Sequence, residues 1–351
     1  MRMLVTGASG LVGSHTVERL LAGGHTVRAL IRPASDLTFL RGLDVELATG
    51  DVTAPETLAA AVAGCEGVVH TAAVVGGWGR PEAFFRVGVL GTRNLLNAAR
   101  DAGVRRFVHL SSIAVYGDDL DGRLLHETDP YGYRPRPWNH YVREKVQSEQ
   151  LVFSYHLRGW LEATAVRPSV IWGARDRIAF PTAAALVRSP IAAIVGSGRN
   201  RIPCVGVRDV ADVAVRALES PRAAGRAYNV SSGQAITQRQ LYRLIGRALG
   251  RRVPRLHVPP WFAFGLATLC EGAYRAARIE SPPPLTRFNV GLIASDVRVD
   301  CTAARDELGW RELHPVPQAI AEDAAWAGPG ARRAAGGARR ATKAAPTRSM
   351  S

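Results

Sequence analysis

The sequence predicts an α/β protein built on a doubly wound parallel sheet, with a smaller lobe in its C-terminal half. Three observations carry that expectation. Short apolar runs alternate with helical patterns from residue 3 to residue 173. Those runs are nearly continuously apolar, as strands covered on both faces are. The first run also opens directly into a glycine-rich turn that starts a helix.

The elements follow in order. MLVT (3–6) is a short β-rich run. A helix spans Leu11 to Ala22 and stops at Gly23-Gly24. TVRALI (26–31) and DVELATGD (44–51) are the second and third strands. PETLAAAVAG (55–64) reads as a helix with proline in its first turn. GVVHTAA (67–73) is the fourth strand. A long helix follows, ending in GTRNLLNAARDAGV (91–104), and RRFVHLSS (105–112) is the fifth strand. The helix containing HYVREKVQSEQ (140–150) leads to a sixth strand, EATAVRPSVIWG (162–173). Beyond 175 the rhythm loosens, with proline-rich joints at 253–260 and 282–284. No internal repeat is visible.

With 351 residues, 47% apolar and 21% charged, the chain has the composition of a soluble globular protein. Its net charge is +15, and residues 327–351 contribute six basic side chains and no acidic one. That segment reads as a disordered tail. It lacks the interleaved aromatics of a nucleic-acid binder, so no nucleic-acid partner is expected. Cys65, Cys204, Cys270 and Cys301 are far apart and form no CxxC pair. Free thiols in a reducing compartment, and no metal site, are expected. MRMLVTG carries no signal-peptide pattern, and no apolar run reaches bilayer length. A cytoplasmic location follows as an expectation. Peripheral membrane contact stays open, because Arg275 and Arg278 flank the apolar stretch WFAFGLATLC (261–270).

TGASGLVGS (6–14) places Gly7, Gly10 and Gly13 in a G-x-x-G-x-x-G spacing between a strand and a helix. Gly7 and Gly10 suit a tight turn and the close approach of a pyrophosphate to the helix N-terminus. Gly13 suits close packing of helix on strand. A dinucleotide is therefore the expected ligand. NAD-binding units usually carry an acid at the end of the second strand. Here LIRPAS (30–35) has Arg32 at that place, Ser35 beside it and Arg28 upstream. A guanidinium suits a ribose 2′-phosphate, so NADP(H) is expected over NAD(H). The alternative is that Arg28 and Arg32 are solvated strand-end charges. Asp51 is a candidate for the adenine edge, or a cap for the helix near Pro55.

Tyr141 and Lys145 stand four apart, which on a helix puts both on one face. With TGASGLVGS and the serine pair of HLSSIAVYG (109–117), YVREK (141–145) closely resembles the signature of the extended short-chain dehydrogenase/reductases. These make up the NAD-dependent epimerase/dehydratase superfamily. Softer segments resemble its 3β-hydroxysteroid dehydrogenase-like branch, nearest the 2-alkyl-3-oxoalkanoate reductases. They are HTAAVVGGWG (70–79), RPSVIWGARD (167–176), PPLTRFNVGLIASD (283–296) and AARDELGW (303–310). The resemblance covers about residues 1–326.

It implies a Rossmann-type domain over 1–172 that binds NADP(H) and carries the catalytic residues. A mainly substrate-binding lobe would span 173–326, with some segments returning to the sheet, and the tail 327–351 would follow. Ser112, Tyr141 and Lys145 take the catalytic roles, Ser112 lying five residues before Gly117 as in SxxxxG. Ser9, Leu11 and Val12 join the three glycines around the pyrophosphate. Arg32 and Ser35 face the 2′-phosphate, and Asp51 and Val52 the adenine. Thr71, Ala72 and Ala73 line the path to the nicotinamide ribose, where Tyr141 and Lys145 also meet the cofactor. Pro168 and Val170 lie near the carboxamide. His70 reads as a strand-end core residue. A homodimer through two long helices per subunit is the family expectation. One departure stands out. The family pattern NVxGTxNLL reads GVLGTRNLL here, with Gly88 at the asparagine, so any proton relay there must use backbone or water.

The chemistry supports those roles independently. Ketone reduction needs hydride on carbon and a proton on oxygen, and an ammonium beside a phenol stabilises its phenolate. The expected function is an NADPH-dependent ketoreductase or hydroxy dehydrogenase acting on an apolar ketone or secondary alcohol. The substrate would be 3-oxo acyl, sterol-like or polyketide-like. Trp261, Phe262, Phe264, Leu266, Leu269 and Tyr274 are candidates for a greasy cap over it. The alternative is a sugar-nucleotide epimerase or dehydratase. It is weakened because no asparagine follows Arg167 and Ile202 fills a phosphate-gripping arginine position, with Arg201 adjacent. A further alternative is a non-catalytic dinucleotide-binding subunit.

Overall fold

In the computed structural model, residues 1–132, 135–189 and 192–327 are described. The basic tail from residue 328 onward lies outside the described residues. Seven parallel strands form the central sheet: β1 (Arg2–Thr6), β2 (Thr26–Ile31), β3 (Val45–Thr49), β4 (Gly67–His70), β5 (Arg106–Leu110), β6 (Glu162–Pro168) and β7 (Ala227–Val230). Their order is β7-β6-β5-β4-β1-β2-β3. Chain direction across the sheet reverses between β1 and β4, the topological switch point where open α/β sheets bind ligands. The glycine turn follows β1 and Thr71–Ala73 follow β4, so both rim that crevice.

Helices cover both faces. α1 (Leu11–Ala22) and α4 (Val207–Glu219) bury Val17, Leu20, Val210 and Val213 on one side. On the other, α2 (Gly91–Asp101) and α3 (His140–Leu157) bury Leu95, Leu96, Val152 and Tyr155. Each such side chain contributes on the order of 1.5–3 kcal/mol by leaving water. β3 is the exception to continuous burial. It is an edge strand, and Glu46, Leu47 and Thr49 are exposed.

Three expected elements differ in detail. The run 162–173 is not one strand. β6 ends at Pro168, and Val170–Trp172 pairs instead with Cys204–Gly206 in a separate two-stranded ladder. Proline has no N–H with which to continue a ladder, and the Ser169 N–H donates to Val230 O at 3.0 Å. The helix expected over 55–64 is a 3₁₀ turn, Pro55–Thr57, followed by Leu58–Val62. The helix before Gly91 begins at Pro81 and passes through a π segment, Phe85–Leu90. Such segments often mark functional sites.

The second lobe packs α5 (Gln238–Ala248), α6 (Pro260–Ala276), α7 (Arg287–Ala294) and α8 (Val316–Trp326) on short paired strands. Its own core holds Trp172, Phe180, Tyr242, Ile245 and Ile320. Among the described residues, no helix is long and apolar enough to cross a membrane.

Candidate active site

The glycine turn is shaped by backbone contact. Gly7 has φ +65°, a left-handed conformation that side chains disfavour, and a Cβ there would lie 2.8 Å from Ala72 N and Thr71 Oγ1. At Gly13 a Cβ would fall 2.2 Å from Gly7 O and 2.9 Å from Ala8 Cα. The close packing expected of Gly13 is thus against the turn itself. Gly10 caps α1 with no capping side chain, and no acid stands in the first turn. The first-turn amides have no intrahelical acceptor and suit a pyrophosphate. Ser9, Leu11 and Thr71–Ala73 are half-buried at the rim, while Val12 is buried beneath it. This cradle fits a dinucleotide.

At the end of β2 the two arginines separate. Arg32 is exposed, in a turn closed by its N–H donating to Ser35 Oγ at 2.9 Å. Arg28 is neither a phosphate ligand nor a solvated charge. It is buried, donates to Ala61 O at 2.9 Å and Ala63 O at 2.8 Å, and pairs with Glu46 at 2.9 Å. It holds the last carbonyls of Leu58–Val62. The nearby acid Asp36 is engaged by Thr38 and Arg177, which hold its carboxyl below the usual carboxylate range. Asp51 does not cap the helix at Pro55. One of its oxygens accepts from the Thr53 N–H and hydroxyl, both at 2.8 Å. Val52 packs in the core, where a Cβ on Gly91 would lie 2.8 Å from it.

The face of α3 turned to the sheet carries Tyr141, Lys145 and Glu149 at helical spacing. Asn139 starts the helix, its side chain accepting from the Val142 N–H. Lys145 is buried, with its Nζ 5.8 Å from the Tyr141 ring centroid, and donates to Leu110 O at 3.2 Å. That bond ties it to the end of β5, two residues before Ser112. Ser112 is half-buried and accepts from the Ala114 N–H at 3.2 Å. Ser111 is buried, and its hydroxyl has no partner. Pro168 is buried at the end of β6, and Val170 is half-buried beyond it.

His70 is a core residue, hydrogen-bonded to Thr6 at 2.7 Å and Thr92 at 2.9 Å. Burial, with Lys145 adding to it, pulls its pKa down to about 3. It is neutral at ordinary pH.

The sequence reading did not find what occupies the space beside Gly88. A Cβ on Gly88 would fall 2.2 Å from Glu144 Cγ and Oε1. Glycine there makes room for a carboxyl group from α3. Glu144 is buried, its oxygens have no hydrogen-bond partner, and its nearest cation is Lys145 Nζ at 3.8 Å. Burial raises its carboxyl above the usual range, with Lys145 and the Ser148 hydroxyl opposing. That hydroxyl is committed to Lys145 O and His109. The signal was Gly88 itself: a missing side chain at a packed position implies a neighbour filling the gap.

The wall facing Tyr141 is aromatic. The Phe288 ring meets Tyr141 edge-on at 5.7 Å, and its side chain presses on Gly77, where a Cβ would lie 2.2 Å from the Phe288 Cβ and 2.6 Å from its ring Cγ. Trp138 contacts Phe264 at 6.0 Å, and Trp78 contacts Tyr274 at 6.3 Å. Phe288, Trp78 and Gly77 lie in segments that carried the branch resemblance. The expected cap is narrower than the sequence suggested. Only Phe264 and Tyr274 of α6 turn inward, while Trp261, Phe262, Leu266 and Leu269 are exposed. The arginines recorded over its rings are paired. Arg287, over Trp138, and Arg275, over Trp78, share Glu271 at 2.7 and 3.5 Å, and Arg136, over Phe264, meets Asp119 at 3.0 Å. Arg201 is paired with Asp296.

The chain is similar to known proteins along most of its length. A profile described as the NAD dependent epimerase/dehydratase family matches residues 3–231. A 4-hydroxy-2-methyl-3-oxo-4-farnesyl-3,4-dihydroquinoline-1-oxide ketoreductase of Stigmatella aurantiaca is 32% identical over 88% of this chain and 92% of that protein. A 2-alkyl-3-oxoalkanoate reductase of Stenotrophomonas maltophilia is 30% identical over 92% and 97%. The crystal structure of gox2253 superimposes with a TM-score of 0.76 at 31% identity, covering 92% of this chain and 97% of that one. The UDP-glucose 4-epimerase of Thermotoga maritima, at 20% identity and a TM-score of 0.73 over 95% and 100%, shares the fold. The chain belongs to the NAD-dependent epimerase/dehydratase family and stands among its 3β-hydroxysteroid dehydrogenase-like oxidoreductases.

Proposed function

We propose that the protein is an NADPH-dependent ketoreductase of apolar ketones, of the 3-oxo acyl, sterol-like or polyketide-like class. The observation that carries this reading is the aromatic wall that meets Tyr141 through Phe288 and continues, by way of Arg287 and Gly77, into the pairs Trp138–Phe264 and Trp78–Tyr274. A nucleotide-sugar diphosphate would need an uncommitted cation there. Arg201, the candidate nearest the usual phosphate-gripping position, is paired with Asp296, and Ile202 is buried. The named ketoreductase and 2-alkyl-3-oxoalkanoate reductase relatives support the same reading. A cytoplasmic location and a homodimer through α2 and α3 belong to it as well, and rest on the sequence and the resemblance.

The cofactor, held by the Gly7–Gly13 cradle and by Arg32, supplies the hydride. Ser112 holds the substrate oxygen and orients it. Tyr141 donates the phenolic proton to that oxygen as the alcohol forms. Lys145 sits beside the phenol, stabilises the phenolate left behind, and is itself fixed by Leu110 O. The aromatic wall excludes water and matches an apolar chain.

The test is NADPH oxidation, followed by absorbance, with a 2-alkyl-3-oxo acid. Wild type turns over. Tyr141→Phe loses about 10²–10⁴-fold in kcat while NADPH binding persists. Turnover of a UDP- or dTDP-sugar instead establishes an epimerase or dehydratase. Tight NADPH binding with no turnover over a broad ketone panel establishes a non-catalytic subunit.

A further inference from the structure

α6 is built inside out. Its buried face carries Ala263, Ala267 and a carboxylate, Glu271, which accepts from Arg287 at 2.7 and 2.9 Å. Its outer face carries Trp261, 75% exposed, Phe262, 48%, Leu266, 43%, and Leu269, 72%. Between them the other exposed positions are Gly265 and Thr268, and beyond Leu269 they are Gly272, Ala273, Ala276 and Arg275, which reaches Glu271 at 3.5 Å. The Thr268 hydroxyl is turned back to Phe264 O at 2.9 Å. A surface helix normally presents polar groups to water, and a contiguous apolar face marks an interaction site.

The chain immediately before α6 supplies charge. An open cleft is lined by Arg239, Arg243, Arg247, Arg251, Arg252 and Arg255, with His257, and by no acidic residue. Arg255 and His257 flank the short strand Leu256–Val258 that runs into α6 at Pro260. Arg239 contacts His257 at 3.0 Å, and none of the six forms an ion pair among the described residues.

We infer that α6 and this arginine cleft form a peripheral docking surface for an anionic lipid bilayer. The apolar ridge enters the interface and the guanidinium groups meet phosphate headgroups. Charge complementarity favours this occupant over a second copy, which itself carries a net charge of +15. The ridge also presents almost nothing that a protein partner could hydrogen-bond. Seventeen residues give α6 a length of about 25 Å, and it does not qualify as a spanning helix, so it lies in the plane. Its inner side chains, Phe264 and Tyr274, back the aromatic wall, which places the docked surface behind the candidate site. The inference does not depend on which substrate that site takes.

The test is co-sedimentation of the full chain with vesicles of phosphatidylcholine alone, or with phosphatidylglycerol in equal parts. Binding to the mixed vesicles, reduced by salt and absent from phosphatidylcholine, is the expected result. Replacing Trp261 and Leu269 together by serine abolishes it. Arg243→Gln with Arg247→Gln weakens it about fivefold per arginine. Unchanged thermal melting shows that these surface variants fold. Failure of wild type to bind the mixed vesicles overturns the inference. So does wild-type affinity in both sets of variants, since attraction would then come from the basic tail alone. A solution dimer dissociated by the Trp261/Leu269 variant overturns it too, assigning the ridge to a second copy.

Discussion

Arg32 and Glu144 show how single side chains set the chemistry here. Arg32 is exposed at the end of β2, and the nearby acid, Asp36, is committed to Thr38 and Arg177. A charge-assisted contact to a 2′-phosphate is worth about 1.5–3 kcal/mol, or roughly tenfold to a hundredfold in affinity. Arg32→Asp should raise the Kd for NADPH by that factor and leave NADH binding equal or better. An unchanged NADPH:NADH ratio removes Arg32 from cofactor selection. Glu144 gives a pH prediction. Burial raises its folded-state carboxyl above the unfolded one, so the folded protein holds the proton more tightly. Its contribution to stability is full below the ordinary carboxylate range and is lost as pH rises through the folded value. Glu144→Gln cannot titrate. Its melting temperature should gain on wild type as pH rises, and its kcat/KM–pH profile should lose the inflection caused by a charge appearing 3.8 Å from Lys145. Parallel curves would deny Glu144 any ionisation near the site. The sequence exposed Tyr141, Lys145 and the glycines because their spacing is local. It concealed the Glu144–Gly88 fit and the burial of Arg28, because both depend on which helix lands on which.

At the scale of elements, the sheet and the order of its strands were legible because periodicity and glycine turns are written within each segment. The break at Ser169 was not, since Val170–Trp172 looks like more strand until Cys204–Gly206 offers a competing partner. The outward face of α6 was equally hidden. Composition shows an apolar helix, not which side is covered. What aims α3 is a buried ion pair one turn past Lys145. Glu149 accepts from Arg167 Nη2 at 2.5 Å and Nε at 3.0 Å, and Arg167 also donates to the Tyr116 hydroxyl at 2.8 Å. Burial alone would disfavour the charge on Arg167, but Glu149 and Tyr116 more than offset it and raise its pKa. Arg167→Met leaves the Glu149 charge buried and uncompensated, and should cost about 3–5 kcal/mol in urea unfolding. Replacing both members, with Glu149→Leu added, should recover most of that loss. A single variant as stable as wild type would show that packing alone aims α3.

Across the whole molecule, the last described helix of the second lobe, α8, packs on α5 and on the paired strands Val170–Trp172 and Cys204–Gly206, and so makes a joint within the lobe that walls the candidate site. The joint is acidic and buried. Asp323 on α8 accepts from the Gly173 N–H at 2.7 Å. Asp176 accepts from the N–H groups of Ile178, Ala179 and Phe180. Burial first, then the neighbouring Asp176, pushes Asp323 up to about 8. An unfolded aspartate titrates near 3.9, so between those values the folded chain binds the extra proton. Stability from this group is present at low pH and declines as pH rises towards about 8. Above that value a second charge is forced into the joint. Asp323→Asn keeps an oxygen for Gly173 and cannot ionise. Its melting temperature should therefore exceed that of wild type at about pH 9 and approach it at about pH 5. A constant difference across that range would mean that Asp323 stays charged in the folded protein, and that the joint is held by Gly173 alone. If the gap opens as expected, the contact between the end of the lobe and the turn after Trp172 is a proton-dependent one. The lobe that walls the candidate site would then loosen as the medium becomes alkaline, and turnover should fall over the same range in wild type but not in the variant.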